Sequence, residues 1–175
     1  QSDYTGDLRI GQEILKGVAD SYRRLRNTYR FLLGSLVEFD ERQERIDYSE
    51  LPELEKWVLH RVAELDTVVR DGFNTYSFQS VFQQIFQFCT TDLSSFYFDI
   101  RKDCLYCDKL TSHLRRSTRT VLDIIFYRLT TWLAPILVFT TEEVWFERFN
   151  SKKSSIHMED IPTTSKQWFN VSLSM

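Results

Sequence analysis

Apolar side chains recur at helical spacing through most of this 175-residue sequence. The clearest run proceeds in steps of four and seven, which places every member on one helix face, and comprises Ile14, Val18, Leu25, Leu32 and Leu36. The whole sequence contains only 5 glycines and 3 prolines, so breakers of helical structure are rare. This pattern disfavours a turn-rich β-sandwich and excludes a collagen-like or low-complexity chain.

The helical period predicts an all-α fold, a bundle of four to five helices with a short irregular C-terminal tail. The predicted helices cover residues 12–36, 52–73, 77–100, 112–133 and 135–148. Pro135 should break or kink the helix before it, because an interior proline removes a hydrogen bond. Residues 156–175 are polar, with one short strand at most, and we expect this tail to be loosely attached.

The third predicted helix carries an apolar stripe that continues for more than five turns. We expect its members to be core residues, and they are Phe78, Phe82, Ile85, Cys89, Leu93, Phe96 and Ile100. Ser77 precedes this stripe and is a suitable N-cap residue.

Cysteine content and the chain start indicate the setting of the protein. The 3 cysteines are an odd number, which favours a reducing, cytoplasmic environment over a disulfide framework. The sequence shows no signal peptide, and no uncharged apolar run reaches the ~18 residues that a membrane helix needs. Because it opens on Gln1 rather than methionine, we expect a fragment or a processed product, monomeric by itself.

The net charge of −3 argues, taken alone, against a nucleic-acid-binding domain. Its distribution changes that interpretation. Eight acids face three bases in residues 37–56, whereas residues 21–36 contain four arginines and no acid. The sequence therefore predicts a polarised molecule, and a partner responds to the local charge.

Four polar residues of the first helix fall on one face, at offsets of zero, three, four and seven. They are Arg23, Arg26, Asn27 and Arg30. Guanidinium groups in line along a helix can follow a phosphate backbone. A solvated face, or bridges to the acidic connector, would use the same residues. Arg24 follows Asp20 by four residues and is expected to pair with it.

Two further basic clusters could serve the same purpose. Arg101 and Lys102 follow an aromatic run and are expected to point outward, whereas Phe96 and Ile100 continue the core stripe. The other cluster lies early in the fourth helix and consists of Arg115, Arg116 and Arg119. A solvated polar helix face with no binding role explains this cluster equally well.

Catalytic and metal motifs are absent from the sequence. It has no glycine-rich phosphate loop, no HExxH and no G-x-S-x-G elbow. Cys104 and Cys107 have the spacing of half a zinc site, but the second pair of ligands is missing. We therefore predict no catalytic residue, no metal site and no cofactor in this chain.

Several ordered motifs resemble the anticodon-binding domain of bacterial-type isoleucyl-tRNA synthetases, a class Ia family. The resemblance covers about residues 2–162. Its motifs are DYTGD at 3–7, SYRRLRNT at 21–28, RFLL at 30–33, FYFDIRKD at 96–103, WLAPILVFTTEEVW at 132–145 and SIHME at 155–159. The SYRRLRNT motif favours the isoleucine enzymes over their valine and leucine relatives.

The resemblance implies an anticodon-binding helical bundle at residues 1–149 and, at 150–175, a connector toward a C-terminal region. Implied partners are isoleucine tRNAs and the catalytic domain of the same polypeptide. Either partner could face the candidate site residues, and the sequence does not separate the two. These residues are Arg23, Arg26, Asn27, Arg30, Arg101, Lys102, Arg115, Arg116 and Arg119. The parent enzyme would use ATP and magnesium, with zinc as a further option. This chain lacks the HIGH and KMSKS signatures and is expected to be inactive alone. A valyl-tRNA synthetase domain, a helical protein-interaction module and a stand-alone helical enzyme are the alternatives.

Overall fold

The computed structural model describes residues 10–149 and 154–170. In chain order its α-helices are α1 (Gln12–Ser35), α2 (Glu41–Glu44), α3 (Glu53–Asn74), α4 (Phe78–Gln87), α5 (Phe98–Cys107), α6 (His113–Leu133) and α7 (Val138–Phe149). A π-helical segment, Phe88–Tyr97, makes α4 and α5 one continuous rod. The described residues contain no strand, so the predicted all-α bundle is confirmed, and the DYTGD motif lies outside these residues.

Helix α6 forms the centre of the bundle. Of its 21 residues, 14 are buried, as expected for a helix surrounded by others. Trp132 and Phe126 are fully enclosed, and Phe126 stacks on Trp145 of α7 with ring centroids 6.5 Å apart. The buried hydroxyl of Thr130 donates to the carbonyl of Phe126 at 2.6 Å, which satisfies it inside the core.

The helix boundaries follow local signals in the sequence. The Ser112 hydroxyl accepts the backbone N–H of Arg115 and caps α6, close to the predicted start. Ala134 and Pro135 open a turn after α6, so α7 begins at Val138 rather than at the predicted residue 135. Ser77 occupies the N-cap position of α4, but its hydroxyl makes no capping bond there.

The π-helical segment corrects the predicted core stripe of the third rod. Bonds from residue i to i+5 widen the turn, so the core-facing position is delayed along the sequence. Tyr97 and Phe98 are buried as a result, and the expectation that Phe96 and Ile100 are core residues was wrong. The expectation for Phe78 was wrong as well, because it is exposed at the first residue of α4, before the π-helical segment.

The described part of the tail, residues 154–170, packs against the bundle, which corrects the expectation of a loose tail and a short strand. The carboxylate of Asp66 on α3 is its main anchor. Asp66 accepts from Thr164 at 2.7 Å, from Arg70 at 2.8 Å and from Arg128 at 3.2 Å. Arg128 also donates to the carbonyl of Thr163 at 2.7 Å. This polar clamp around Asp66 could not be predicted from spacing, because its members are far apart along the chain.

Candidate nucleic-acid interface

An open groove of about 1110 Å³ runs between α1, the segment after it, and α7. All four polar residues predicted to share a face of α1 line this groove, and they are Arg23, Arg26, Asn27 and Arg30. The same residues are exposed, whereas Leu25, Tyr29 and Leu32 of the opposite face are buried in the core. The packing of α1 therefore fixes the direction of its basic face.

Arg26 is held in place by a network that joins α1 to α7. Its guanidinium meets the Glu143 carboxylate through two bonds, at 3.1 and 3.3 Å, and also donates to the Tyr22 hydroxyl at 3.2 Å. Tyr22 in turn shares a hydrogen bond of 2.9 Å with Thr140. The bond from Arg26 lowers the pKa of Glu143, and the bond with Thr140 lowers the pKa of Tyr22. This network orients one guanidinium at the groove wall.

The other members of the basic face are less constrained. Arg23 forms an exposed ion pair with Asp20, so the expectation that Arg24 would take this partner was wrong. Such an exposed pair contributes about 0–1 kcal/mol and exchanges readily for another anion. Among the described residues, Asn27 and Arg30 have neither a hydrogen-bond partner nor an ion-pair partner from their side chains. Their polar groups are accessible to a ligand in the groove.

Phe39 lies at the inner end of the groove between two arginines. The guanidinium of Arg119 is 5.3 Å from the ring centroid, and that of Arg148 is 5.8 Å away. Arg119 is only 3% exposed, and burial lowers its pKa. Its guanidinium pairs with Glu44 at 2.7 Å and donates to the backbone carbonyl of Val37. Phe39 and Arg148 could not be predicted as neighbours of this site, because only the folded chain brings residues 39, 119 and 148 together.

Arg115 and Arg116 contact backbone carbonyls rather than carboxylates. Arg115 donates to the carbonyl of Asp108, and Arg116 donates to those of Gln43 and Glu44, at 2.8 and 3.2 Å. Carbonyl contacts position the two side chains but leave their positive charges without a directly bonded counter-charge. Both residues are partly exposed beside the N-terminus of α6.

Arg101 and Lys102 are adjacent in sequence but have different surroundings. Arg101 is 14% exposed and makes two bonds, of 2.7 and 2.8 Å, to the fully buried Glu55, so the expectation that it points outward was wrong. Burial of the π-helical segment directs Arg101 inward with Tyr97. Lys102 is exposed and pairs with Asp99 at 2.7 Å. Only Lys102 of this cluster is accessible to a partner.

Residues 10–149 and 154–170 show neither a metal site nor a membrane-spanning helix. No group of three or more histidine, cysteine, aspartate or glutamate side chains is arranged there to hold a metal ion. Cys104 is buried with its thiol donating to the carbonyl of Arg101, whereas Cys107 is exposed. Across the same residues, no helix combines the length and the apolar character needed to cross a membrane.

Comparison with known proteins places this bundle in a family of RNA-binding domains. Residues 55–175 match the family described as "Anticodon-binding domain of tRNA ligase". The chain belongs to this family.

Curated relatives indicate the branch of the family. The chain is 62% identical to the isoleucine--tRNA ligase of Ruegeria pomeroyi over 170 residues, 97% of the chain and 17% of that protein. It is 51% identical to the isoleucine--tRNA ligase of Caulobacter vibrioides over 84% of the chain and 15% of that protein. The resemblance to the isoleucyl-tRNA synthetase domain is therefore confirmed, and the valyl alternative is not favoured. The chain spans about a sixth of the length of these relatives.

Proposed function

We propose that this chain is the tRNA-binding domain of an isoleucine--tRNA ligase and binds its tRNA along the basic groove of α1. The observation that carries the proposal is the alignment of Arg23, Arg26, Asn27 and Arg30 along one exposed groove. Packing of α1 into the bundle fixes the backbone that carries these groups, so only their side chains lose conformational freedom on binding. Family membership supplies the class of ligand, and the groove supplies the groups that would contact it.

The chemistry of the groove suits an RNA loop or stem. Arg23 and Arg30 are exposed cations that can contact successive phosphates, and Asn27 between them offers both a donor and an acceptor. The amide can contact a base edge or a 2′-hydroxyl, which are the groups that distinguish RNA sequences and RNA from DNA. The Arg26–Glu143 pair would keep the groove wall in place as the phosphates bind.

Three other predicted candidates are further proposed contacts for the tRNA outside the groove, namely Lys102, Arg115 and Arg116. Each keeps an accessible positive charge, whereas the guanidiniums of Arg101 and Arg119 are engaged inside the fold. We assign the last two a structural role. The exposed cations are thus the ones expected to contribute to the salt dependence of RNA binding.

The whole protein would attach isoleucine to its tRNA with ATP and magnesium, with zinc bound elsewhere in its chain if at all. These activities would reside in a catalytic domain of the same polypeptide, consistent with the small share of each relative that this chain covers. The protein would act in the cytoplasm. The groove would position the tRNA for that catalytic domain.

The test is the salt dependence of tRNA binding by the longer protein that contains this chain. Arg30→Ala should weaken binding and lower the slope of log affinity against log salt by roughly one, because one phosphate contact is lost. Asn27→Ala should weaken binding while leaving that slope unchanged. The matched control is Arg42→Ala, which removes an exposed arginine from the acidic connector. Unchanged affinity and unchanged slope for Arg30→Ala would refute the proposed role of the groove.

A further inference from the structure

The apolar face of α1 continues beyond the part of the helix that the bundle covers. In the second half of α1 this face is buried, with Leu25 2% exposed. In the first half the same face is open, with Ile14 53% and Val18 38% exposed. Residues 10–20 are all exposed to solvent. The apolar stripe of α1 is therefore longer than the part of it that the described residues cover.

The open stripe is part of a wider apolar surface. Ile10, Ile14, Val18 and Tyr22 follow one another every four residues, and Leu15 flanks them. At Tyr22 the stripe reaches α7, because its hydroxyl bonds Thr140. The neighbouring Phe139 is 90% exposed.

This apolar surface extends from α7 into the tail. Val138 and Met158 are also exposed, and the His157 ring bonds the carbonyl of Val138 at 3.2 Å. The open stripe of α1, the start of α7 and the tail segment around Met158 therefore adjoin one another. Contiguous apolar surface of this kind marks an interaction site in soluble proteins.

We propose that this surface, defined by Ile10, Ile14, Leu15, Val18, Val138 and Phe139, packs against another part of the same longer polypeptide. The relatives supply the argument for this occupant, because 17% or less of their length corresponds to this chain. The surface also lies at the end of the bundle where α1 begins. An intramolecular partner meets such a surface at high effective concentration, so a modest apolar area suffices for stable packing.

The chemistry of the two sides of α1 separates this surface from the proposed RNA groove. The groove residues Arg23, Asn27 and Arg30 lie on the side of the helix away from Ile14 and Val18. Apolar aliphatic side chains gain from losing contact with water and offer nothing to a phosphate. The open stripe is therefore suited to a partner that has an apolar surface of its own.

Hydrogen exchange of residues 12–22 tests this proposal without any tRNA present. In the 175-residue chain these amides should exchange rapidly, because nearly all of the first half of α1 is exposed to solvent. In the longer protein the same amides should exchange on the order of a hundredfold more slowly, since docking buries several apolar side chains at once. Equal exchange in the two proteins would overturn the proposal.

Two matched variants of the longer protein identify the face that is covered. Val18→Asp places a charge on the open stripe and should abolish most of the added protection. Ala19→Asp places the same charge one residue further on, outside the stripe, and should preserve it. Val18→Asp should leave the stability of the 175-residue chain unchanged, because Val18 lies outside the core of the bundle.

Three other occupants give different results, and each would overturn the proposal. A second copy of the chain would protect residues 12–22 in the 175-residue chain itself, increasingly at higher protein concentration. Coverage by residues 1–9 would protect them there at every concentration. RNA would protect them only when tRNA is added. Loss of protection by both Val18→Asp and Ala19→Asp would also count against a docking face centred on the stripe.

Discussion

Replacing Arg101 with alanine would leave a buried carboxylate without its cationic partner. Glu55 is 0% exposed and accepts two bonds from Arg101, at 2.7 and 2.8 Å. Its remaining donors are the hydroxyls of Tyr97 and Thr118, both at 3.2 Å. Neutral hydroxyls cannot replace the guanidinium, so the charge of Glu55 would be solvated poorly within the core.

The expected loss of stability follows from this geometry. Removing one partner of a buried pair costs about 3–5 kcal/mol. The lower end applies here, because Arg101 retains some exposure and two hydroxyls still donate to Glu55. A loss of about 3 kcal/mol corresponds to a fall in Tm of roughly 6–12 °C for a domain of this size.

Chemical and thermal unfolding of the 175-residue chain would measure this loss. Lys102→Ala is the matched control, since it removes the adjacent cation from an exposed pair and should leave the stability nearly unchanged. Adding Glu55→Gln to Arg101→Ala should recover part of the stability, because a neutral amide is less costly to bury than a carboxylate. The tRNA-binding slope against salt should be unchanged in Arg101→Ala at temperatures where the variant is folded.

Two outcomes would refute this reasoning about Arg101. A loss of stability below about 1 kcal/mol would mean that the pair is solvated like one at the surface. A normal stability combined with a salt slope lowered by about one would make Arg101 a phosphate-binding residue instead. The second outcome would add Arg101 to Lys102 among the proposed RNA-binding residues.

Two more predictions concern packing and thiol chemistry. A Cβ added at Gly72 would overlap a methyl carbon of Val81, so Gly72→Ala should destabilise the contact of α3 with α4 by about 1–3 kcal/mol. Adding Val81→Ala should remove the overlap and recover part of that loss, which urea unfolding of the single and double variants measures. A maleimide reagent should label Cys107 alone in the folded chain and all three cysteines after unfolding. The reason is that Cys89 and Cys104 are buried, and burial raises the pKa of both thiols. Mass spectrometry counts the labels, and rapid native labelling of Cys89 would contradict the packing.

Helical periodicity predicts most of this fold because each long helix is amphipathic over its own length. The start of α6 was predictable because Ser112 is a local capping signal. The direction in which the side chains of the third rod point could not be predicted, because an α-helical period does not reveal the π-helical segment at Phe88–Tyr97. The docked tail also escaped prediction, because the polar clamp at Asp66 depends on residues from three distant segments.

The candidate site shows the same division between local and long-range information. Spacing along α1 places Arg23, Arg26, Asn27 and Arg30 on one face, because a helix converts sequence offsets into positions. The partners of charged residues cannot be predicted from spacing along one helix. Arg101 and Arg119 have the same sequence character as the accessible arginines, and only the positions of Glu55 and Glu44 after folding give them an internal role.

The two proposed surfaces use opposite sides of one rigid element. Helix α1 has 24 residues, which corresponds to roughly 36 Å, and its second half is fixed in the bundle core. Tyr22 lies where the two surfaces meet, because its ring belongs to the apolar stripe and its hydroxyl bonds both Arg26 and Thr140. A partner that packs on the stripe would therefore restrict the same helix that presents the basic groove. Such packing would fix the direction from which tRNA approaches, so α1 would relate the RNA to the remainder of the polypeptide.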